Sequence, residues 1–444
     1  MEELKRKLSL YGLTMIAVGS CIGSGIFISP ADVVKNLPNP VFALLAWCIG
    51  GLIALTGSLS FSELGSMFPN SGGVYVYLKE AYGERTAFLY GWVTLLVINT
   101  GALAALSLAF ANYLTFFVPI SEPVKIFIAI STILVLTALN AKGVGLSQLF
   151  SNIFTGLKLA VLVAMIIAGV FIFGDVDRVF HFAGSFDPIQ HPGSFLTALI
   201  GVLWSFGGWH HASYLAGEAI LPQKNVPRAM ILGTLIVTAV YILINFAYFS
   251  LLSIEQFASS ERVAGDAMAT IFKNGGKMVS LGIMISVFGT IGIYTMSAPR
   301  IYYAMAKDKI FFNSLAKVHK DYHTPYIAMW FQAIWAAILL IFWRTFSDLV
   351  TYTTFMDIIF MTLAGISLFV LRIKKSEVPR PVKVPWYPVV PGIFVIISAA
   401  FVINTVFEKP KQAIAGLILL VIGMLSYMYF RKNNKTNVKS DKAM

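Results

Sequence analysis

The chain has 444 residues, of which 57% are hydrophobic and only 12% charged, with a formal net charge of +12. An ordinary soluble domain carries about 25% charged residues, and the mean hydropathy here is +0.78, so composition excludes a soluble globular protein and defines an integral, polytopic membrane protein in a lipid bilayer. The basic residues fall mostly in short loops, where topology accounts for them, so no nucleic-acid partner is expected.

A short charged lead, 2–7, precedes span 1, expected over 10–36. No small-residue cleavage site closes this first apolar run, so no signal peptide is expected. The run contains Gly19, Ser20, Cys21, Ile22, Gly23, Ser24 and Gly25 where a spanning helix should be most apolar. Glycine inside a helix costs about 0.5–1 kcal/mol relative to alanine, and hydrocarbon tolerates non-helical backbone only where protein or a water-filled cavity covers it. The segment therefore reads as a helix broken near mid-membrane. The alternative is a face of small residues packed on a neighbouring helix, which glycines at 19, 23 and 25 fit poorly.

Span 2 is expected over 41–68 and contains Glu63; an amphipathic link, 74–85, follows. Spans 3, 4 and 5 are expected over 86–117, 124–140 and 147–173, then a polar loop at 174–193. Span 6, expected to run from near Ser194 to near Gly217, carries Gly207-Gly208 at its middle, flanked by aromatic residues and followed by His210 and His211. Span 7 is expected over 228–252, span 8 over 277–305, span 9 over 325–343 and span 10 over 348–371. Spans 11 and 12 follow over 388–406 and 412–430, with a hydrophilic tail, expected to be disordered, from Arg431. Each exceeds the ~17 residues a crossing needs. With the N-terminus cytoplasmic, twelve crossings put 23 of the 33 Lys and Arg on the inner side and nine on the outer side, Arg344 among them, which orients both termini to the cytoplasm.

Inverted repeats place a discontinuous helix at corresponding positions of two halves. A Gly pair in span 6 answers the break in span 1, so 10–173 and 194–371 are expected to be two inverted five-helix repeats, with 388–430 an added hairpin and 431–444 a cytoplasmic tail, all in one transporter domain. The fold class is thus all-α membrane, twelve helices, with spans 1 and 6 discontinuous. Each break frees N–H groups at one half-helix and carbonyls at the other. The N–H groups of Ser24, Gly25 and Ile26 are expected to face a carboxylate. The carbonyls of Cys21, Ile22, Trp204, Ser205 and Phe206 are expected to accept an ammonium. Such a site reads the two ends of an α-amino acid, while Trp204, Phe206 and Trp209 pack its side chain. No acidic side chain sits beside either break in the sequence, which favours small neutral amino acids.

Several motifs resemble the amino acid–polyamine–organocation superfamily, and within it the bacterial relatives of the L-type amino acid transporters. They are Gly23-Ser24-Gly25-Ile26-Phe27, Phe68-Pro69-Asn70-Ser71-Gly72-Gly73, Phe206-Gly207-Gly208-Trp209, Gly217-Glu218, Asn225-Val226-Pro227-Arg228-Ala229 and Tyr303-Ala304-Met305-Ala306-Lys307-Asp308. The resemblance spans nearly the whole chain. It implies the five-plus-five fold and sodium-independent exchange of small neutral L-amino acids of the alanine, serine, threonine and cysteine type, by a permease of the bacterial inner membrane working as a monomer. The chain departs from many relatives at Gly207, where they carry an acid, and at Gly292-Ile293, where they carry Asn-Gly.

Lys158 is the one formal cation near the middle of an expected span. A charge at mid-bilayer costs at least about 2.5–3.5 kcal/mol on insertion scales. It either snorkels to the inner surface or meets the carbonyls at the span 1 break; in the relatives that the resemblance invokes, this lysine stands where sodium-coupled cousins hold sodium. Glu63, Glu218, Arg300 and Lys307 are either interfacial charges or a gate of ion pairs. His210 and His211, adjacent on a helix, should point different ways, which is poor metal-ligand geometry and leaves at most one of them facing the cavity. Tyr294 and Ser297 face the substrate or pack, and Asp357 in span 10 lines an outward vestibule or titrates. Trp330, Trp335 and Trp343 read as lipid-facing or belt residues. No metal-ligand cluster and no nucleophile–base–orienter set converges, so neither an enzyme nor a cofactor is expected. The rivals to exchange are proton-coupled uptake and, in another class, a membrane amino acid sensor that binds without transport.

Overall fold

The structure, a computed structural model, describes residues 4–180, 192–260, 262–342 and 346–441. Most of the polar loop after span 5, Trp343 and Arg344 lie outside the described residues. All the regular elements among the described residues are helices. Nine of them are long and apolar enough to cross a membrane; a bent pair, Leu10–Cys21 and Gly25–Asn36, makes a tenth, and Gly193–Phe206 and Tyr326–Phe342 are shorter apolar helices at the places of spans 6 and 9.

Span 1 breaks where its glycines and hydroxyls fall. Its halves are bent by 41°, with Ile22, Gly23 and Ser24 between them. Span 6 breaks too, but less evenly. Pro192–Phe206 is followed by turns through 207–210, a short helix His211–Tyr214 and a 3-10 turn Ala216–Glu218. Its second part is a compact corner rather than a second half-helix. Gly208, at φ 118°, allows this corner, because a side chain there would be strained and its Cβ would stand 2.8 Å from the Ser20 carbonyl.

The broken helices sit in the middle. The first half of span 1 packs on spans 5, 7 and 8, which are Val144–Ile172, Pro222–Leu251 and Gly275–Lys307, and its second half packs on span 6. Span 3, Glu84–Leu114, is 83% buried over its apolar window, against 17% for span 12 over Pro410–Lys432, so span 12 lies at the edge of the bundle. A π turn, Thr94–Ile98, interrupts span 3. The tail expected to be disordered is helical as far as Asp441; no Gly or Pro follows Gly423 to end the helix.

Polar contacts gather both chain ends on one face. Lys7 and Leu8 N–H donate to the Glu218 carbonyl at 2.8 and 2.9 Å, Lys79 pairs with Asp308 at 2.6 Å, Lys375 pairs with Glu80, and Tyr427 of span 12 reaches Glu84 at 3.5 Å.

Candidate functional site

At the end of the first half of span 1 the helix can no longer satisfy its own carbonyls. Lys158, fully buried, takes them up. Its Nζ donates to the Gly19 carbonyl at 3.0 Å, the Ile22 carbonyl at 2.6 Å and Thr290 Oγ1 at 2.7 Å. An ammonium has three donors, and each has an acceptor. The side chain turns inward to these carbonyls and does not snorkel to the inner surface. Two hydroxyls from span 8 share the same carbonyls. Thr290 Oγ1 lies 2.9 Å from both the Gly19 and the Ile22 oxygens, and Ser286 Oγ is 3.1 Å from the Ile22 oxygen. The Ile22 carbonyl, expected to accept an ammonium from a ligand, is thus surrounded by donors of the protein itself.

The two breaks are stitched to each other. Ser20 Oγ donates to the Gly208 carbonyl at 2.7 Å and Cys21 Sγ lies 3.4 Å from the Phe206 carbonyl. Tyr241 of span 7 places its hydroxyl 2.8 Å from the Cys21 carbonyl and 2.9 Å from the Ser205 carbonyl. A phenol has one proton for these two acceptors, so it bridges the breaks while leaving acceptor capacity in each. Tyr241→Phe removes the bridge without opening a cavity. It is expected to lower stability by about 1–2 kcal/mol and to weaken substrate binding, as thermal unfolding with and without substrate will show.

On the other side of the break, the N–H groups of Ser24, Gly25 and Ile26 make no hydrogen bond among the described residues, and Ser24 Oγ is buried without a partner. Backbone approach is close here: a Cβ on Gly25 would lie 2.9 Å from Ser205 Cα.

Trp204, Phe206, Gly207, Trp209 and Tyr294 line a cavity of about 60 Å³. Cys21, Ile22, Ser24, Gly25, Ile26 and Ser205 are not on its wall; they are buried in the adjoining seam. Two expectations about this cavity change. Both His210 and His211 line it, because the chain is in turns through 207–210 and helical spacing does not apply there. An acidic group does reach the break, because span 10, Phe346–Lys374, brings Asp357 to the cavity wall. His211 Nδ1 lies 2.6 Å from Ser297 Oγ, and its ring centre is 4.3 Å from that of Tyr294. Among the described residues no three His, Cys, Asp or Glu are grouped to hold a metal ion.

The four charges read as a gate do not form one cluster. Glu218 and Arg300 are a fully buried bidentate pair, at 2.8 and 3.0 Å, and Arg300 also donates to the Met296 carbonyl. Glu63, equally buried, belongs elsewhere. It holds Arg372 at 2.6 and 2.9 Å, Arg380 at 3.3 Å and the Val384 N–H at 2.8 Å. Lys307 is exposed, its ammonium 5.6 Å from the Tyr303 ring. The residues that sequence reasoning missed here are Arg372 and Arg380, with Lys79 and Tyr75, both of which hold Asp308 at 2.6 Å. Burial, with Asp308 beside it, pushes the Tyr75 phenol well above its usual range, so it donates.

An all-helical bundle of membrane-length apolar helices, with a broken helix at its centre and a small, mainly apolar cavity with a few polar groups beside the break, defines a multi-span membrane transporter. The chain belongs to the amino acid permease family, which matches it over residues 8–427. It is 32% identical over 438 residues to the serine/threonine exchanger SteT of Bacillus subtilis, covering 98% of each chain. It is 32% identical to the human b(0,+)-type amino acid transporter 1, covering 96% of this chain and 88% of that one. It is 30% identical to the human large neutral amino acids transporter small subunit 2, over 96% of this chain and 80% of that one. These relatives are transporters, and so is this protein; it is not an enzyme.

Proposed function

We propose that this chain is a sodium-independent exchanger of small neutral L-amino acids of the serine, threonine, alanine and cysteine type, working as a monomer by alternating access. The observation that carries this reading is Lys158, whose three donors occupy the span 1 carbonyls and Thr290. A cation belongs where half-helix carbonyls are left free; a tethered ammonium supplies the charge with no ion to bind or release. The unengaged N–H groups of Ser24, Gly25 and Ile26, at a half-helix N-terminus, suit a carboxylate. A cavity of about 60 Å³ corresponds to about four to six water positions, which suits a small side chain. Residues 10–173 and 194–371 are the two inverted repeats and 388–430 the added hairpin, twelve crossings in all. The face that gathers both chain ends is cytoplasmic, in the bacterial inner membrane, and the Glu218–Arg300 pair closes the path on that side.

Counterflow in proteoliposomes tests this. Labelled serine should accumulate in vesicles preloaded with serine, alanine, threonine or cysteine, equally well in sodium and in choline. Flux that requires sodium, or net uptake into empty vesicles driven by a pH gradient, refutes it.

A further inference from the structure

Asp357 stands apart from the other buried carboxylates of the bundle. Glu63 and Glu218 each hold arginine. Asp357 Oδ1 is buried with no hydrogen-bond partner among the described residues, and one helical turn away Thr354 Oγ1 is in the same condition. Both residues line the cavity beside the span 6 break, and no Lys or Arg does. Three of the neighbouring donors are committed elsewhere. The Tyr214 hydroxyl is 2.6 Å from that of Tyr90, His211 Nδ1 is 2.6 Å from Ser297 Oγ, and the Asn99 amide donates to Gln332 Oε1 at 3.0 Å. A carboxylate and a hydroxyl so placed are costly to keep buried until a donor reaches them.

The elements divide the work. Spans 1 and 6 offer backbone groups, which suit the ammonium and carboxylate common to all amino acids. Span 10 offers side chains, which suit the part of the cargo that varies. We propose that Asp357, with Thr354, is the receptor for the cargo's side chain, selecting side chains that end in a hydrogen-bond donor over aliphatic side chains of the same size. A hydroxyl satisfies one acceptor. A short side-chain ammonium satisfies both and neutralises the carboxylate as well, so the accepted cargo extends to short diamino acids. The inference rests on the reading of the chain as an exchanger whose cargo occupies this cavity. A site built to hydrogen-bond a substrate group discriminates strongly against the isostere lacking it, because its own buried polar atoms are then left unpaired.

An isosteric series tests it. L-Norvaline, L-homoserine and L-2,4-diaminobutyrate have the same number of heavy atoms and end in methyl, hydroxyl and ammonium. Each is titrated against labelled serine uptake into serine-loaded proteoliposomes at neutral pH. In the native protein the half-inhibiting concentration should fall by roughly tenfold from norvaline to homoserine, and again to diaminobutyrate. In Asp357→Asn the advantage of ammonium over hydroxyl should disappear. In Asp357→Leu norvaline should become the best competitor. Norvaline competing as well as the other two in the native protein overturns the proposal, without recourse to any variant. An unchanged ranking in Asp357→Leu overturns it as well. So does a proton-carrier result, in which native flux follows a pH gradient, Asp357→Asn loses that response and the ranking stays as it was. Serine–serine exchange by the native protein is scored separately. Its absence sinks the exchanger reading itself, whereas its presence with a flat ranking sinks only the receptor.

Discussion

Lys158→Ala is expected to lower exchange by roughly a hundredfold while leaving a protein that still inserts and remains monodisperse in detergent. The side chain bridges span 5 to the end of the first half of span 1 and to Thr290 of span 8. Truncation strips its donors from two carbonyls and a hydroxyl, each buried polar group left unpaired costing about 1–3 kcal/mol. Folding is cushioned in two ways. Thr290 and Ser286 already stand within 3.1 Å of the same carbonyls, and the cost of burying an ammonium, at least about 2.5–3.5 kcal/mol, disappears with it. Transport is not cushioned, because the hydroxyls lie on span 8 alone and the end of the half-helix at the break loses its tie to span 5, which keeps only the Thr155 Oγ1 contact to the Met15 carbonyl, at 3.1 Å, further back along the helix. If about 2–3 kcal/mol of the alignment of the half-helix is lost, flux falls by roughly a hundredfold. Initial rates of counterflow, with and without sodium, beside a size-exclusion profile of each protein, make the measurement. Native-like flux from the alanine variant would falsify the role given to Lys158, as would strict sodium dependence of the native protein.

What could be read from the sequence was what is local. Glycines and hydroxyls inside an apolar run mark the span 1 break, and a lysine inside another run marks a charge that must find a partner. Both signals sit within one helix, where composition and periodicity apply. The partners are a different matter. Glu63 meets Arg372 more than three hundred positions away, and no spacing rule reaches so far. Thr290 and Ser286 carry no distinguishing mark, because most buried hydroxyls in these helices bond back to their own carbonyls, as Thr234 and Thr132 do. Tyr241 did leave a signal: a phenol in the middle of an apolar span needs an acceptor. Asp357 was visible as a costly charge, but its place beside the span 6 break follows from the packing of span 10, which the sequence of span 10 does not contain. The histidines show the converse error. Helical spacing was carried through a segment whose two glycines had already ended the helix, so two residues expected on different faces lie on one wall.

The second large effect is expected at Arg300. The Glu218–Arg300 pair is fully excluded from solvent and bidentate. Removing one partner of such a pair leaves a charge with nothing to answer it, at a cost of about 3–5 kcal/mol. Arg300→Met should therefore reduce the yield of folded protein and lower its melting temperature sharply, and Glu218→Gln should do the same through the stranded guanidinium. The double variant is the informative one. Two neutral side chains of similar volume leave no orphaned charge, so stability should return to near the native value, with a coupling between the two substitutions of several kcal/mol. Exchange should not return with it. The pair ties the corner after the span 6 break to span 8, and the Glu218 carbonyl holds the Lys7 and Leu8 N–H groups on the same face, so, on the proposed reading of this pair as a gate, a barrier is removed whether or not the protein is stable. Thermal unfolding of the four proteins in the cycle, followed by counterflow on the double variant, separates the two roles. Single variants as stable as the native protein would contradict the buried pair, and a stable double variant that exchanges at the native rate would make it a structural tie and not a gate.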